Sequence, residues 1–147
     1  MVKRVVIVGA GIAGTATAYF LTRKGARDIL ILERENTAGA ISTGRNAAIL
    51  RSPIPDPVLR ALARASARFY QQPPEGFCSQ PLLNPVGLYL VARSEHAQSL
   101  LSWAVSGPEA AGTKAVDPAE LYRRIPILGP GISAAVLQAD EGVMDVH

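Results

Sequence analysis

A single cysteine, Cys78, is all that this 147-residue chain contains, so no intrachain disulfide can form and no thiolate set can hold a metal. Cys78 is read as a small, buried or partly buried side chain. Histidine is nearly as scarce. His96 lies in a stretch expected to form an external helix and His147 is the last residue. With no second histidine or acidic cluster beside either, no metal site and no nucleophile triad are expected. No apolar run is long enough to cross a bilayer. The short run behind Met1-Val2-Lys3-Arg4 breaks at Gly9 with no cleavage site after it, which argues against a secretory signal. Charge is not concentrated either: twelve arginines and three lysines against twelve carboxylates leave a net +3, dispersed along the chain, and no nucleic-acid partner is expected. What remains is 48% hydrophobic, 18% charged and only 5% aromatic, the composition of a soluble folded protein with a cytoplasmic location as the expectation. The length suits about one domain of ordinary size.

Against that background Met1 to Glu33 stands out. An apolar run, Val5-Val6-Ile7-Val8, leads into Gly9-Ala10-Gly11-Ile12-Ala13-Gly14, and a second run, Asp28-Ile29-Leu30-Ile31-Leu32, ends on Glu33. The pattern is that of a strand, a glycine turn, a helix and a second strand that binds a dinucleotide. Gly9 permits the tight turn, Gly11 lets the backbone approach a pyrophosphate, and Gly14 lets helix and strand pack closely. The helix begun at Ile12 and Ala13 aims its positive end at the phosphates. Ala18 is a small residue on the face that meets the sheet, and Gly25 should end the helix in a left-handed cap, so the helix is expected from Ile12 to about Lys24. Glu33, 19 residues after Gly14, is placed to accept from ribose hydroxyls and speaks against a 2′-phosphate and so against NADP. Arg34 follows it; a solvated arginine is the expectation, with a cofactor contact as the other reading. FAD and NAD share the ADP half, so these residues alone do not separate them.

The run from Val5 to Glu33, with Ala18 and Gly25 in place, resembles the FAD-binding start of the flavoprotein amine and amino-acid oxidoreductases. This superfamily includes glycine oxidase, sarcosine oxidase and the D-amino-acid dehydrogenases. The resemblance implies FAD as cofactor and makes Gly39-Ala40-Ile41-Ser42-Thr43-Gly44-Arg45-Asn46-Ala47-Ala48 similar to a second flavin contact. There Ser42, Thr43 and Arg45 offer donors, and Gly44, Asn46 and Ala47 complete the segment. Composition alone would also allow an ordinary polar loop. Pro73-Pro74-Glu75-Gly76-Phe77-Cys78 and Gln80-Pro81-Leu82-Leu83-Asn84-Pro85 are similar to stretches of the D-arginine dehydrogenases. The chemistry that the resemblance implies is oxidation of the C–N bond of an amino acid or secondary amine by hydride transfer to flavin, the imine then hydrolysing to a carbonyl. Most substrate-positioning residues of the superfamily come later in the chain, so no catalytic residue is assigned.

The remaining residues read as follows. Asp56-Pro57 starts a helix to Gln71 whose core stripe is expected to be Leu59, Leu62, Ala63, Ser66, Phe69 and Tyr70, with Arg60, Arg64 and Arg68 on a solvated face. Leu88 to Ala92 is a strand. Ser94 caps a helix over His96 to Val105 that ends near Gly107. Asp117-Pro118 starts a short helix with Glu120 as capping-box partner, stopped by Pro126, and Ile132 to Leu137 is a strand. The fold class is α/β: a Rossmann-type FAD-binding βαβ unit in residues 1–72, then part of an α+β substrate domain in 73–140, with 141–147 beginning the return to the FAD domain. Two parallel strands do not make a stable sheet. The chain is therefore expected to be the amino-terminal portion of a larger enzyme, with a chain supplying the carboxy-terminal half as a candidate partner. The alternative is a noncatalytic dinucleotide-binding or subunit-interaction module. An NAD-dependent dehydrogenase is a third reading that gives residues 39–48 no role. Leu82 to Ala92 contains no acid to pair a cationic substrate side chain, and Ile49-Leu50 are apolar, so a neutral amino acid is the favoured small-molecule substrate. Tyr89 is either a pocket hydroxyl or a core tyrosine.

Overall fold

A computed structural model describes residues 4–105, 110 and 112–145. It confirms a mixed α/β chain. Contacts divide it into one compact unit up to Ala47 and a second, Ala48–Asp145. The helix of residues 57–71 thus lies in the second unit, whereas the sequence grouped residues 1–72 together. Among the described residues no helix is long and apolar enough to cross a membrane.

The first unit is one βαβ turn of chain. β1 (Val5–Val8) and β2 (Ile29–Leu32) pair in parallel, Val5 beside Ile29 and Val8 beside Leu32. Between them runs α1 (Ile12–Arg23). Strand side chains alternate between faces. Val5, Ile7, Ile29 and Ile31 are half-buried, and Ile7 lies against the start of α1. Val6, Val8, Leu30 and Leu32 are 50, 84, 44 and 49% exposed. At the far end of α1 the chain closes as expected: Gly25 takes φ +92°, its amide donates to Thr22 O, and that of Ala26 donates to Leu21 O. This is the paired-bond left-handed cap.

The second unit begins with an extended segment leading to α2 (Pro57–Gln71). Asp56 caps it, its carboxylate accepting from Leu59 N at 2.8 Å, with Pro57 in the first turn. The orientation of α2 corrects the sequence reading. Leu59 and Leu62 are 55 and 61% exposed and Ser66 is exposed, whereas Ala63, Phe69 and Tyr70 turn inward as expected, joined by Arg60, Arg64, Ala67 and Gln71. The cause is Arg60. Its Nε donates to Ile54 O at 2.6 Å, Nη2 to Pro55 O at 2.8 Å and Nη1 to Trp103 O at 3.1 Å, and its guanidinium lies over the Trp103 ring. A guanidinium has the fork of donors to serve all three carbonyls. Arg64 reaches Thr113 Oγ1; only Arg68 keeps the solvated position expected of all three.

Beyond α2, β3 (Leu83–Asn84) meets β7 (Val143–Met144) as an antiparallel ribbon, packing Leu83 and Met144 with Leu50, Ala67 and Tyr70. β4 (Leu88–Ala92), β5 (Thr113–Val116) and β6 (Ala134–Gln138) form an antiparallel sheet in the order β4-β6-β5. α3 (Ser94–Ala104) covers one face, where Leu100 and Ala104 meet Ala134 and Val136. Ser94 does not cap α3: Arg93 holds the cap position, and the Ser94 hydroxyl, already in the first turn, bonds Glu95. The expected end near Gly107 lies outside the described residues. α4 (Pro118–Arg124) is capped by Asp117, which accepts from Ala119 N at 2.9 Å. Glu120 forms no capping box and pairs instead with Arg124 at 2.6 Å. β6 begins two residues later than expected, because the Ile132 amide donates to the Tyr122 hydroxyl rather than to a strand. It runs on to Gln138, whose amide bonds Thr113 and Asp140. Tyr89 is half-buried, its hydroxyl accepting from Arg124 at 3.3 Å. Cys78 is a half-buried free thiol.

Residues 141–145 are tied to the start of this unit. The Leu50 amide donates to Gly142 O and that of Met144 to Ala48 O. The buried Glu141 carboxylate accepts the Ser52 amide at 2.9 and 3.1 Å. Burial pushes the Glu141 carboxyl above its ordinary value, opposed by the bonds from Ser52.

Candidate functional site

The glycine turn sits where β1 hands the chain to α1. Gly9 adopts φ +99°, a backbone region that side chains disfavour, and its amide still donates to Leu32 O at 2.7 Å, locking the turn to the end of β2. Gly14 is required by space: a Cβ there would lie 2.0 Å from Gly9 O. Gly11 is the cap residue of α1 and contributes no side-chain acceptor. The first-turn amides of Ile12, Ala13 and Gly14 have no carbonyl one turn earlier to bond. They form the positive end of the helix dipole.

Glu33 follows β2 and turns toward this glycine loop. One carboxylate oxygen accepts from Ala10 N at 2.7 Å, the other from Arg34 N at 2.7 Å and Glu35 N at 3.0 Å. Amide donation from Glu35, then Ala10, then Arg34 holds its carboxyl below the usual value. It is therefore a firmly ionised acceptor. A carboxylate has about four acceptor positions, so three amides leave about one for a ribose hydroxyl.

Residues 39–44 complete the cradle. The Gly39 amide donates to Ala10 O and that of Gly44 to Gly39 O. Thr43 Oγ1 accepts from Ile12 N at 3.0 Å and would stand 3.2 Å from a Cβ on Gly11. Asn46 Nδ2 donates to the carbonyls of Ser42 and Thr43 and holds the loop's shape. The resulting cavity, of about 210 Å³, is lined by Gly11, Glu33, Ser42 and Thr43, with Glu35, Gly39, Ala40 and Ile41.

Of the residues singled out in the sequence, the structure thus brings Gly9, Gly11, Ile12, Ala13, Gly14, Glu33, Ser42 and Thr43 together. Gly44 shapes the loop, and Asn46 acts through it. Arg45 and Ala47 are exposed and do not line the cavity. Arg34 does not line it either. Its side chain is 87% exposed and pairs with Glu35, the solvated reading. Glu35 is the lining residue that the sequence reading missed; it sits in the bend after β2, its amide donating to Glu33, and its nearness to Glu33 in sequence was the available signal. Two carboxylates here disfavour an added phosphate. A glycine cradle that a Cβ would fill, a helix start aimed into it and an ionised acceptor facing it together fit the ADP half of a dinucleotide such as FAD.

Residues 4–147 match the family DAO, FAD dependent oxidoreductase. The chain belongs to this family. The DAO chain is 32% identical over 154 aligned positions to glycine oxidase of Pseudomonas putida, covering 100% of this chain and 40% of that protein. To sarcosine oxidase subunit beta of Rhodobacter capsulatus it is 30% identical, covering 94% of this chain and 35% of that one. Among solved structures, L-proline dehydrogenase from P. horikoshii superposes with a TM-score of 0.78 at 21% identity over 98% of this chain and 38% of that one. The last shows a shared fold. The chain therefore spans well under half the length of these relatives. Membership in a family of FAD-dependent oxidoreductases bears out the resemblance read from Val5 to Glu33.

Proposed function

We propose that the chain is the FAD-anchoring amino-terminal part of an oxidoreductase that removes hydride from the carbon of a C–N bond in a neutral amino acid or secondary amine. The observation that carries the reading is the convergence of the Gly9–Gly14 turn, Glu33 and residues 39–43 on one cradle. The Ala13 and Gly14 amides would face the diphosphate, the Ile12 amide being held by Thr43 Oγ1. Glu33 would accept from the ribose, and Ser42 and the Thr43 hydroxyl would donate from the other side. Bound flavin supplies the hydride acceptor that no side chain can provide. The choice of substrate rests on the names of the relatives and on the absence of an acid between Leu82 and Ala92. The test is anaerobic mixing of the FAD-loaded protein with glycine, sarcosine, proline and both alanine enantiomers, followed by flavin absorbance. Bleaching by one or more of them is expected. Bleaching by none, with the cofactor retained and the carboxy-terminal half supplied, would remove C–N oxidation of these substrates.

One observation favours a second component. Parallel sheets are covered on both faces, yet Val6, Val8, Leu30 and Leu32 form an exposed apolar face on β1 and β2. A further layer of polypeptide, from the same chain or from a partner carrying the carboxy-terminal half, would cover it. A noncatalytic module that binds dinucleotide and lends this face to a partner is the competing function. Flavin retained without turnover until such a partner is added would favour that module.

A further inference from the structure

Within the unit Ala48–Asp145, Glu141 and Ser52 are each 1% exposed, and their contact ends a short antiparallel ladder. The Met144 amide donates to Ala48 O, Ile49 pairs with Val143, and the Leu50 amide donates to Gly142 O. The same register would carry the Ser52 amide to Asp140 O, but that carbonyl accepts from Gln71 Nε2 at 2.9 Å. The Glu141 carboxylate takes its place as acceptor, and the Ser52 hydroxyl bonds it as well. The last rung of the ladder is therefore a titratable group.

The two sides of this rung are unequally held. Glu141 is fixed through its backbone: its carbonyl accepts from Gly87 N at 2.8 Å, and a Cβ on Gly142 would lie 2.3 Å from Asn84 O and 2.7 Å from Val86 N. Ser52 belongs to a segment in which Pro53 and Pro55 have no amide to donate. Beyond Ser52, Arg60 holds the segment by its carbonyls at Ile54 and Pro55. If the rung opens, Ser52 moves and Glu141 stays. The charged groups facing the carboxyl are Asp140, beside it in the chain, and Arg64 of α2. No ion pair among the described residues joins Glu141 to a cation, so its charge is buried without a direct counter-ion. Burial and Asp140 favour the neutral acid, Ser52 and Arg64 favour the carboxylate, and the first influence prevails. We propose that Glu141 is a proton-operated latch on residues 51–55, which the neutral acid holds and the ionised acid releases. The neutral acid keeps both bonds, its carbonyl oxygen accepting the amide and its hydroxyl donating to Ser52 Oγ. The device stands apart from the function proposed for the glycine cradle.

Amide hydrogen exchange of the 147-residue chain, read residue by residue by NMR across pH, tests the latch. As pH rises above about 4.5, exchange at Ser52 should accelerate at least about threefold relative to Leu50 and Met144, whose acceptors are main-chain carbonyls that do not titrate. Glu141→Gln should remove the difference. Two further variants move its onset in opposite directions. Asp140→Asn removes a repelling charge and should lower the onset; Ser52→Ala removes a donor to the carboxylate and should raise it, read at the same amide. This pair serves if Glu141→Gln fails to fold. Equal acceleration at Ser52, Leu50 and Met144, the mark of global unfolding, would overturn the proposal. So would an unchanged profile in folded Glu141→Gln, or onset shifts of one sign in the other two variants.

Discussion

Replacing Gly14 with alanine tests how closely α1 presses on the glycine turn. The added Cβ would stand 2.0 Å from Gly9 O, 3.1 Å from the Gly9 carbonyl carbon and 3.3 Å from Ile7 Cγ2, where ordinary contact begins at 3.4 Å. A backbone carbonyl has no rotamer with which to move aside, and this one belongs to a turn whose amide is held by Leu32 O. α1 must therefore withdraw by about 1 Å or more, which places the cost at the upper end of overpacking, about 3 kcal/mol. That is roughly a hundredfold shift in the unfolding equilibrium. Gly25→Ala is the internal control, because at φ +92° its Cβ would meet nothing within 4 Å. Only the left-handed backbone penalises it, by about 1 kcal/mol. Urea unfolding followed by circular dichroism measures both, and FAD affinity measured alongside should fall with Gly14→Ala and stay with Gly25→Ala. A Gly14→Ala chain as stable as Gly25→Ala would show that helix and turn are not in contact as described.

Arg60→Met should destabilise by about 3 kcal/mol in thermal or urea unfolding, because it removes the donor shared by the partly buried carbonyls of Ile54, Pro55 and Trp103; Arg60→Lys, with three donors and no planar fork, should fall between. If Arg60→Met instead changes stability by under about 0.5 kcal/mol, the solvated reading of that face returns. Asp56→Ala should cost about 1 kcal/mol through the lost cap of α2, whereas Glu120→Ala, which breaks an exposed pair, should cost less than half as much. Glu141 gives a pH signature. Its carboxyl is held above the ordinary 4.5 by burial, so the native chain binds that proton more tightly than the unfolded chain. The stability it contributes is complete below about 4.5 and is lost as pH rises through the native value. Glu141→Gln removes this dependence, so the midpoint of the variant relative to wild type should rise as pH increases above about 4.5; a flat difference would contradict the assignment.

The first 33 residues were legible because every signal there is local. A strand run, glycines at fixed offsets, Gly25 after the last helical turn and an acid at the end of the next run each act within a few residues. The loop of residues 39–44 was legible only through resemblance, since its contacts with Ala10 and Ile12 depend on a fold-back that composition does not reveal. The orientation of α2 was misread for a physical reason: amphipathic patterning assumes that arginine faces water. It has no way to know that three main-chain carbonyls, of residues 54, 55 and 103, share Arg60 as a donor. Ser94 and Glu120 failed similarly. Both are good cap residues by type, but each has a closer side-chain partner, Glu95 and Arg124. The buried Glu141 carried no local signal, because its partner Ser52 lies 89 residues away in sequence.

The measurement that bears most directly on the central claim is a titration of the chain with FAD, followed by flavin fluorescence, with ADP and its 2′-phosphorylated analogue as competitors. Saturable binding of one FAD per chain, displaced by ADP and at least tenfold less well by the 2′-phosphorylated form, is the result that the Gly9–Gly14 turn and the ionised Glu33 require. Glu33→Gln should narrow that gap. Equal competition by the two nucleotides, or FAD binding that survives Gly14→Ala and Glu33→Gln alike, would contradict the assignment of the cradle.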